Sequence, residues 1–544
     1  MVDRMGSFGE ISLAGDSPQN WLLPSAAEMA RLDRSTIALG TTALELMERA
    51  GAAVVERINV LLPSVKKCVV LCGPGNNGGD GLVIGRLLRT RGIAVEIVVA
   101  ASERYSTECL AQLEKTAAVR AFGGSPGAAG GLAGDVSLSA DVCLHEIGES
   151  ELENVLRGAD LVVDALLGTG QRSAPRGSIK ILVEKLRAST SQDGRRAIVA
   201  VDIPTGLDAD TGQLFDPHVQ ADYTVTVQYI KRGMLQFPGR DVCGAISAVP
   251  IGIAPEEGVE FSLVHDQSRP LASQRAPDIH KGLLGRVVVV GGSLTMPGAA
   301  MLSALGALRA GAGIVTRVIR RNWHTAPALP EAMYEVLEGD SDYFTGRDSE
   351  QVLSIVNRHD VVVLGPGLGT QPETALFVQA ILEGVENSPV SVVLDADGLN
   401  VIVGNGLSLE NCKAVLTPHP GEAARLLGVK PQDIQNDRFS AVRRLAECYG
   451  ASVVLKGAGT LVHDGSRGRL IAEGTPYLAT PGSGDVLAGI IAACTASSES
   501  IFDAASRGVW IHAKAGIKAA QITGGTILAS DIALAAAACA SLPS

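Results

Sequence analysis

Thr480-Pro481-Gly482-Ser483-Gly484-Asp485-Val486-Leu487-Ala488-Gly489, running on through apolar residues to Ala493, carries the clearest local reading in the chain. Its first glycines let a backbone turn sharply with N–H groups exposed. The Ala-rich apolar run behind them reads as a buried helix. The turn therefore stands at a helix N-terminus, where free N–H groups and the helix dipole attract anions. Asp485 lies at the lip of that site. A carboxylate repels phosphate and has no place in a plain cradle. It fits if it must take a proton from a hydroxyl beside the phosphate. The other reading is a helix cap, and this stretch alone leaves both open.

Upstream, strand after strand ends in a polar, glycine-containing loop. Arg286–Val290 leads into Gly291-Gly292-Ser293 and a helix over 298–311. Val361–Leu364 leads into Gly365-Pro366-Gly367-Leu368-Gly369, and Val390–Leu394 into Asp395-Ala396-Asp397-Gly398. Lys413–Leu416 leads into Thr417-Pro418-His419-Pro420-Gly421-Glu422, and Ser452–Leu455 into Lys456-Gly457-Ala458-Gly459-Thr460. His419 reads either as a cap or as a ligand contact. Two further helices, near 501–521 and 530–541, close the chain.

The first half repeats the scheme. A capping box at Ser25 and Glu28 opens a helical region with Met29, Leu32, Leu44, Met47 and Val54 inward. The strand Lys67–Cys72 runs into Gly73-Pro74-Gly75-Asn76-Asn77-Gly78-Gly79-Asp80-Gly81 and a helix to about Arg91. Gly73, Gly75 and Gly78 match the dinucleotide fingerprint, but the acidic partner fails, because Glu96 sits in mid-strand. Asn76, Asn77 and Asp80 are more than a tight turn needs. Strands 161–163 and 197–201 end in Asp164 and Asp202, where open α/β sheets bind ligands. Lys231, after strand 224–227, reads as a solvated lysine or as a functional cation. Alternation of strand and helix in both halves predicts parallel sheets covered by helices on both faces.

At 544 residues the chain suits two domains. Hydrophobic residues at 46%, aromatics at 3% and 63 glycines favour α/β layers with tight turns. A net charge of −12 argues against a nucleic-acid or anionic-membrane surface. The nine cysteines are scattered, expected buried and inert, and fit a reducing, cytoplasmic setting. No apolar run approaches the roughly 18 residues of a membrane span. Residues 1–20 read as a disordered leader lacking a secretory h-region, 123–140 as a surface loop, and 250–280 as the linker. There is no zinc-protease, Walker-type or hydrolase-elbow motif.

Taken together, Gly73–Gly81, Asp164–Gly170, Asp202–Gly212 and Lys231 resemble the NAD(P)H-hydrate epimerase domain. His280-Lys281-Gly282, Gly365–Gly369, Thr417–Glu422, Lys456–Thr460 and Gly482–Asp485 resemble the ADP/ATP-dependent NAD(P)H-hydrate dehydratase. The fused order is similar to the bifunctional repair enzymes and covers residues 20 to 540. The resemblance implies an N-terminal Rossmann-like three-layer sandwich over 20–252 and a C-terminal ribokinase-like α/β domain over 275–542. It implies interconversion of R and S hydrates of NADH and NADPH (NADHX and NADPHX), then dehydration of the S form at the expense of ADP or ATP.

By the same resemblance, Asn76, Asn77, Gly78, Gly79, Asp80, Gly168, Thr169, Gly170, Gln171, Arg172, Ser173, Ala174 and Asp202 hold the hydrate in the first half. Asp202 is the expected acid/base group, assisted by Lys231. Asn77, Asp164 and Thr205 are the expected ligands of K+, with Thr205 standing where the family often has Ser. In the second half Ala299, Gly367, His419 and Asp485 meet the hydrate. Lys456, Gly457, Ala458, Gly459, Thr460 and Gly484 meet the nucleotide, which Mg2+ accompanies, and a homo-oligomer up to a tetramer is implied. Two rival readings stand beside this one: a ribokinase-like small-molecule kinase, and a first half that only senses a nucleotide.

Overall fold

The computed structural model describes residues 11–12, 21–116, 118–123, 144–190, 196–253, 258–264, 280–323, 329–403, 409–498 and 500–540. The chain forms two compact units that divide between Glu260 and Phe261. The expected surface loop at 123–140 lies almost entirely outside the described residues.

Val-rich strands buried on both sides build a parallel sheet in the first unit. Its order is Ile11–Ser12, Ala245–Val249, Tyr223–Val227, Ala197–Val201, Leu161–Ala165, Lys67–Cys72, Ala94–Ala100, Val119–Phe122 and Leu144–Glu146. Ile11–Ser12 corrects the expectation for the leader, because it pairs in parallel with Ile246 and Ser247. From Lys67–Cys72 the chain passes to one side, to Ala94–Ala100, and later returns to the other, to Leu161–Ala165. This reversal opens a crevice beyond the strand ends. The capping box at Ser25 is formed, with Ser25 Oγ accepting from Glu28 N at 3.2 Å and Glu28 Oε2 from Ser25 N at 2.7 Å. The helical region is two helices, Ala26–Ala38 and Ala43–Leu61, and Leu46 rather than Leu44 takes the buried place.

In the second unit the order is Phe261–Val264, Gly468–Ile471, Thr460–His463, Ser452–Leu455, Lys413–Leu416, Ser391–Leu394, Val361–Leu364, Arg286–Val290, Ile314–Arg320 and Met333–Leu337. Two expectations need correcting. The sheet is mixed, because Thr460–His463 pairs antiparallel with both of its neighbours. The interval 250–280 is also not all linker, since Phe261–Val264 pairs with Gly468–Ile471. The order reverses at Arg286–Val290, flanked by Ile314–Arg320 and Val361–Leu364.

The helices Pro297–Ala310, Ser483–Ala496, Ile501–Thr523 and Ala529–Ala540 share one apolar core. Two of them approach closely: a Cβ on Gly489 would sit 1.9 Å from Ser303 O, and one on Gly306 2.5 Å from Val486 O. That contact seats the start of the helix Ser483–Ala496 near the sheet reversal. Among the described residues no helix is long and apolar enough to cross a membrane. Cys448 is exposed and Cys412 half-buried, so the expectation of uniformly buried thiols does not hold.

Candidate functional sites

In the first unit the turn after Lys67–Cys72 is built by close backbone approach. A Cβ on Gly73 would lie 1.7 Å from Leu166 O, and one on Gly78 1.8 Å from Gly73 O. This packs the start of the helix Asn76–Thr90 against the loop after Leu161–Ala165. Asn77 Nδ2 donates to Leu167 O at 3.0 Å, whereas Asn77 Oδ1 is buried with no hydrogen-bond partner among the described residues. Asp164 is fully buried and accepts from Thr205 N and Thr205 Oγ1, both at 2.8 Å, and from Leu166 N at 3.2 Å. Burial pushes its carboxyl up to about 6, against the pull of those hydrogen bonds. Thr205 Oγ1 in turn accepts from Leu167 N at 3.0 Å. Asn77, Asp164 and Thr205 are thus knit together through Leu166 and Leu167.

The loop Gly168–Ala174 lies along the same rim. Gly168 faces the Asn77 side chain, and Gln171 Oε1 accepts from Gly206 N at 2.9 Å. Gln171 Nε2 donates to Ser173 O, and Arg172 to Thr169 O, Gln171 O and Asp210 Oδ2. Arg172 and Ser173 are exposed, as are Gly170 and Asn76, while Thr169 and Ala174 are half-buried.

Lys231 is no solvated lysine. It is 1% exposed, donates to Thr226 Oγ1 at 3.0 Å and Val227 O at 2.9 Å, and pairs directly with Asp202 Oδ1. Asp202 also accepts from Val227 N at 3.1 Å and holds a φ of 66°, a left-handed conformation that costs a non-glycine residue energy. Sequence reading passed over Asp33, on the helix Ala26–Ala38. Its carboxyl rises to about 6 through burial, which Lys231 opposes and Asp202 reinforces. Asp80 is driven well up by burial, then by Asp202 and Asp33. Asp33 was legible only as an ordinary polar residue of an amphipathic helix.

In the second unit Gly482, at φ 84°, precedes the helix Ser483–Ala496. The free donors of the anion site are the second and third N–H groups of that helix. Ser483 N is spent on Thr480 O at 3.2 Å, while the N–H groups of Gly484 and Asp485 find no acceptor among the described residues. Asp485 does not cap the helix, and its carboxylate has no hydrogen bond among the described residues. Burial pushes it up to about 7; Asp395 adds to this, Lys456 opposes it, and Asp397 contributes last.

Lys456 Nζ lies 2.8 Å from Asp395 Oδ1 and 3.8 Å from Glu422 Oε2. Burial works against its charge, but Asp395 and Glu422 outweigh it and hold the ammonium above its ordinary range. Gly484 is adjacent: a Cβ there would be 3.4 Å from Lys456 Nζ and 3.8 Å from Asp395 Oδ2. Thr417 Oγ1 donates to Asp395 Oδ1 at 2.7 Å. The loop Lys456–Thr460 carries Gly457 at φ 145° and Gly459 at φ 66°, and is closed by Thr460 Oγ1 donating to Gly457 O at 2.8 Å. Buried Arg438 supports it from beneath, donating to Leu455 O at 3.2 Å and Gly459 O at 3.4 Å.

His419 is the cap of the helix Pro420–Leu427. Its Nδ1 accepts from Gly421 N at 3.0 Å, while Glu422 Oε2 accepts from His419 N at 2.7 Å. Burial holds the imidazole below its usual range, with Glu422 opposing. The ring remains 52% exposed, with its Nε2 3.4 Å from Glu422 Oε1. Ala299 and Gly367 are brought together at the sheet reversal, a Cβ on Gly367 falling 3.0 Å from Ala299 Cβ. Asp395, Asp397, Glu422 and Arg438 complete the site. The first three lay in loops already read as polar, whereas Arg438, inside a helix, carried no local signal.

Residues 287–536 match the family model described as NAD(P)H-hydrate dehydratase, and residues 43–233 that of the YjeF-related protein N-terminus. The bifunctional NAD(P)H-hydrate repair enzyme Nnr of Escherichia coli (strain K12) is 37% identical over 91% of this chain and 89% of its own. That of Moorella thermoacetica is 36% identical over 92% of this chain and 93% of its own. Among solved structures, the ADP/ATP-dependent NAD(P)H-hydrate dehydratase from Bacillus subtilis, co-crystallised with ATP/Mg2+, is 26% identical, covers 49% of this chain and 92% of its own, and has a TM-score of 0.41. The likeness to the repair enzymes runs through both halves, which neither a kinase nor a sensor module would require. The chain belongs to the family of bifunctional NAD(P)H-hydrate repair enzymes.

Proposed function

We propose that the two sites divide the family's work, with epimerisation in 20–252 and dehydration in 275–542. Asp202 carries the hydroxyl proton to the ring nitrogen as the adjacent carbon–nitrogen bond opens to an aldehyde, and back as that bond re-forms on the opposite face, so that the R and S hydrates of NADH and NADPH interconvert; Lys231 holds that carboxylate in place. The loops 76–80 and 168–174 grip the hydrate. In the second half Asp485 takes the proton from the hydroxyl of the S hydrate as that oxygen attacks the terminal phosphate of ADP or ATP. The N–H groups of Gly484 and Asp485 stabilise the moving phosphoryl group. Hydroxide leaves a neutral ring poorly, whereas phosphate leaves well. Loss of phosphate from one ring carbon and of a proton from its neighbour restores the double bond, leaving NAD(P)H and AMP or ADP.

The observation that carries this reading is the state of Asp485: half-buried, raised to about 7, relieved of capping duty and set beside two N–H groups without an acceptor among the described residues. A group poised near neutrality is what a general base needs. Incubation of the protein with ADP and S-hydrated NADH should restore absorbance in the reduced-nicotinamide band, with AMP and phosphate formed one for one. Phosphorylated hydrate without recovered NADH would favour a kinase instead.

K+ suits the first site. Asn77 Oδ1 is a buried acceptor lacking a partner among the described residues, and Asp164 and Thr205 add further oxygens, a donor set fitting a hard cation. Such an ion would fix the Gly168–Ala174 loop and favour the charged form of Asp164. Mg2+ suits the second. Asp395, Asp397, Glu422 and Asp485 outnumber Lys456 as electrostatic partners. That surplus favours a divalent ion arriving with the nucleotide's phosphates rather than one caged by protein alone. Contact of His419, Ala299 and Gly367 with the hydrate, and of Lys456–Thr460 with the nucleotide, completes the reading. A homo-oligomer is consistent with Ile522, Leu528 and Leu534 standing exposed on the last two helices and the turn between them; sedimentation would test it.

A further inference from the structure

Behind the free N–H groups of the helix Ser483–Ala496 lies a histidine with no place in the chemistry above. His512, on the helix Ile501–Thr523, is 8% exposed. Its Nε2 lies 3.0 Å from Ser483 O and 3.1 Å from Ser483 Oγ. A carbonyl only accepts, so Nε2 carries the proton and donates to Ser483 O. That oxygen belongs to the peptide whose N–H is Gly484's, one of the two free donors. Donation into the oxygen of an amide polarises its N–H and strengthens it as a donor in turn. It also pins the peptide plane, so the N–H holds its aim.

We infer that His512 is a positioning residue for phosphoryl transfer: by donating to Ser483 O it orients and polarises the Gly484 N–H that donates to the phosphoryl group in transit. The inference rests on the reading of Gly484 and Asp485 as the reacting site. The imidazole is suited to this as a fixed dipole. Burial lowers it to about 4, and Lys456 pushes the same way, so it stays neutral and holds one tautomer around neutral pH. A charged ring would press a second cation against Lys456. Ser483 Oγ, unable to donate to a protonated Nε2, accepts from it and shares the bond.

The test compares His512→Asn, whose amide is too short to reach Ser483 O, with His512→Gln, whose terminal amide reaches about as far as Nε2. At saturating ADP and S-hydrate, the asparagine variant should lose about tenfold or more in dehydratase kcat, the scale of a weakened oxyanion donor. KM for ADP should change by less than about threefold, and R-to-S conversion should be unaltered. The glutamine variant should recover most of the loss. Unchanged kcat in the asparagine variant, a loss confined to KM, or equal loss in both variants with wild-type melting would overturn the inference. If the asparagine variant does not fold, His512→Leu, apolar and close in volume, replaces it with the same expectations. Asp485→Asn is run in parallel. A near-normal rate there would mean the site itself has been misread. Loss there with full activity in the His512 variants would remove only the role of His512.

Discussion

The two carboxylates at the centre of the two units are held in opposite ways. Asp202 is committed: it is paired with a buried lysine, bonded to Val227 N, and strained in its backbone. Asp485 is uncommitted: half-buried and facing Asp395, it has no hydrogen bond among the described residues. The first arrangement suits a reaction that ends where it began, since an epimerase must return every proton it takes. The second suits a step in which a proton is taken while a highly charged co-substrate is present to rebalance the site. On the proposed reading, the excess of carboxylates around Lys456 prepares the site for a nucleotide and its cation rather than being a defect.

The contrast breaks most sharply at Asp485. Asp485→Asn should cut dehydratase turnover by about 10²–10⁴ while R-to-S conversion continues. A separated assay on pure R and pure S hydrate checks this, and equal loss of both activities would end the division of labour. Next comes the buried pair. Lys231→Met strands Asp202 without its cation, and should destabilise the first unit by about 3–5 kcal/mol and abolish epimerisation. Urea unfolding followed by fluorescence or exchange within residues 21–253 would show it. The same change should leave S-hydrate dehydration measurable under native conditions.

A smaller effect is expected where the two helices cross. Gly489→Ala drives a methyl against Ser303 O, and should cost roughly 1–3 kcal/mol and shift the helix carrying Asp485. A lower melting temperature with weakened dehydratase kcat would sharpen the link between that crossing and the site. Smallest is the pH effect. If Asp485 must be ionised to act, dehydratase kcat/KM should fall as pH drops below about 7. Its contribution to stability runs the other way. The folded carboxyl holds its proton more tightly than the unfolded one, whose ordinary value is 3.8, so the contribution is greatest at low pH and is lost as pH rises through about 7. Asp485→Asn should therefore raise the melting temperature of the second unit at pH 8, with the gain shrinking as pH falls. A pH-independent gain would argue that the wild-type carboxyl is not strained.

Much of this was readable in advance because the relevant physics is local. Valine runs bounded by glycine turns make buried strands, and Ser25 with Glu28 makes a capping box, whatever surrounds them. The helix start at Gly482 was legible for the same reason, and so were the carboxylates at strand ends. The errors fall where pairing partners are distant. Phe261–Val264 looks like linker until Gly468–Ile471, some two hundred residues on, gives it an edge to join. Thr460–His463 reads only as the far end of a glycine loop until turns on both sides of it set it antiparallel between Ser452–Leu455 and Gly468–Ile471. Asp33, Arg438 and His512 sit in helices at positions whose periodicity reveals only how buried they are, not what they meet.

By itself, then, the sequence determined the alternation of strands and helices, the two sheet reversals' glycine turns and the acidic residues that stand at them. Only tertiary packing decided which of those acids is neutralised and which is left exposed to a field. It set Lys231 against Asp202, left Asp485 without a hydrogen bond among the described residues, and brought His512 behind the Gly484 peptide. The reason is physical: secondary structure follows from steric and hydrogen-bonding preferences among near neighbours, whereas the charge state of a buried group follows from every dipole and ion within several ångströms, and those arrive from anywhere in the chain.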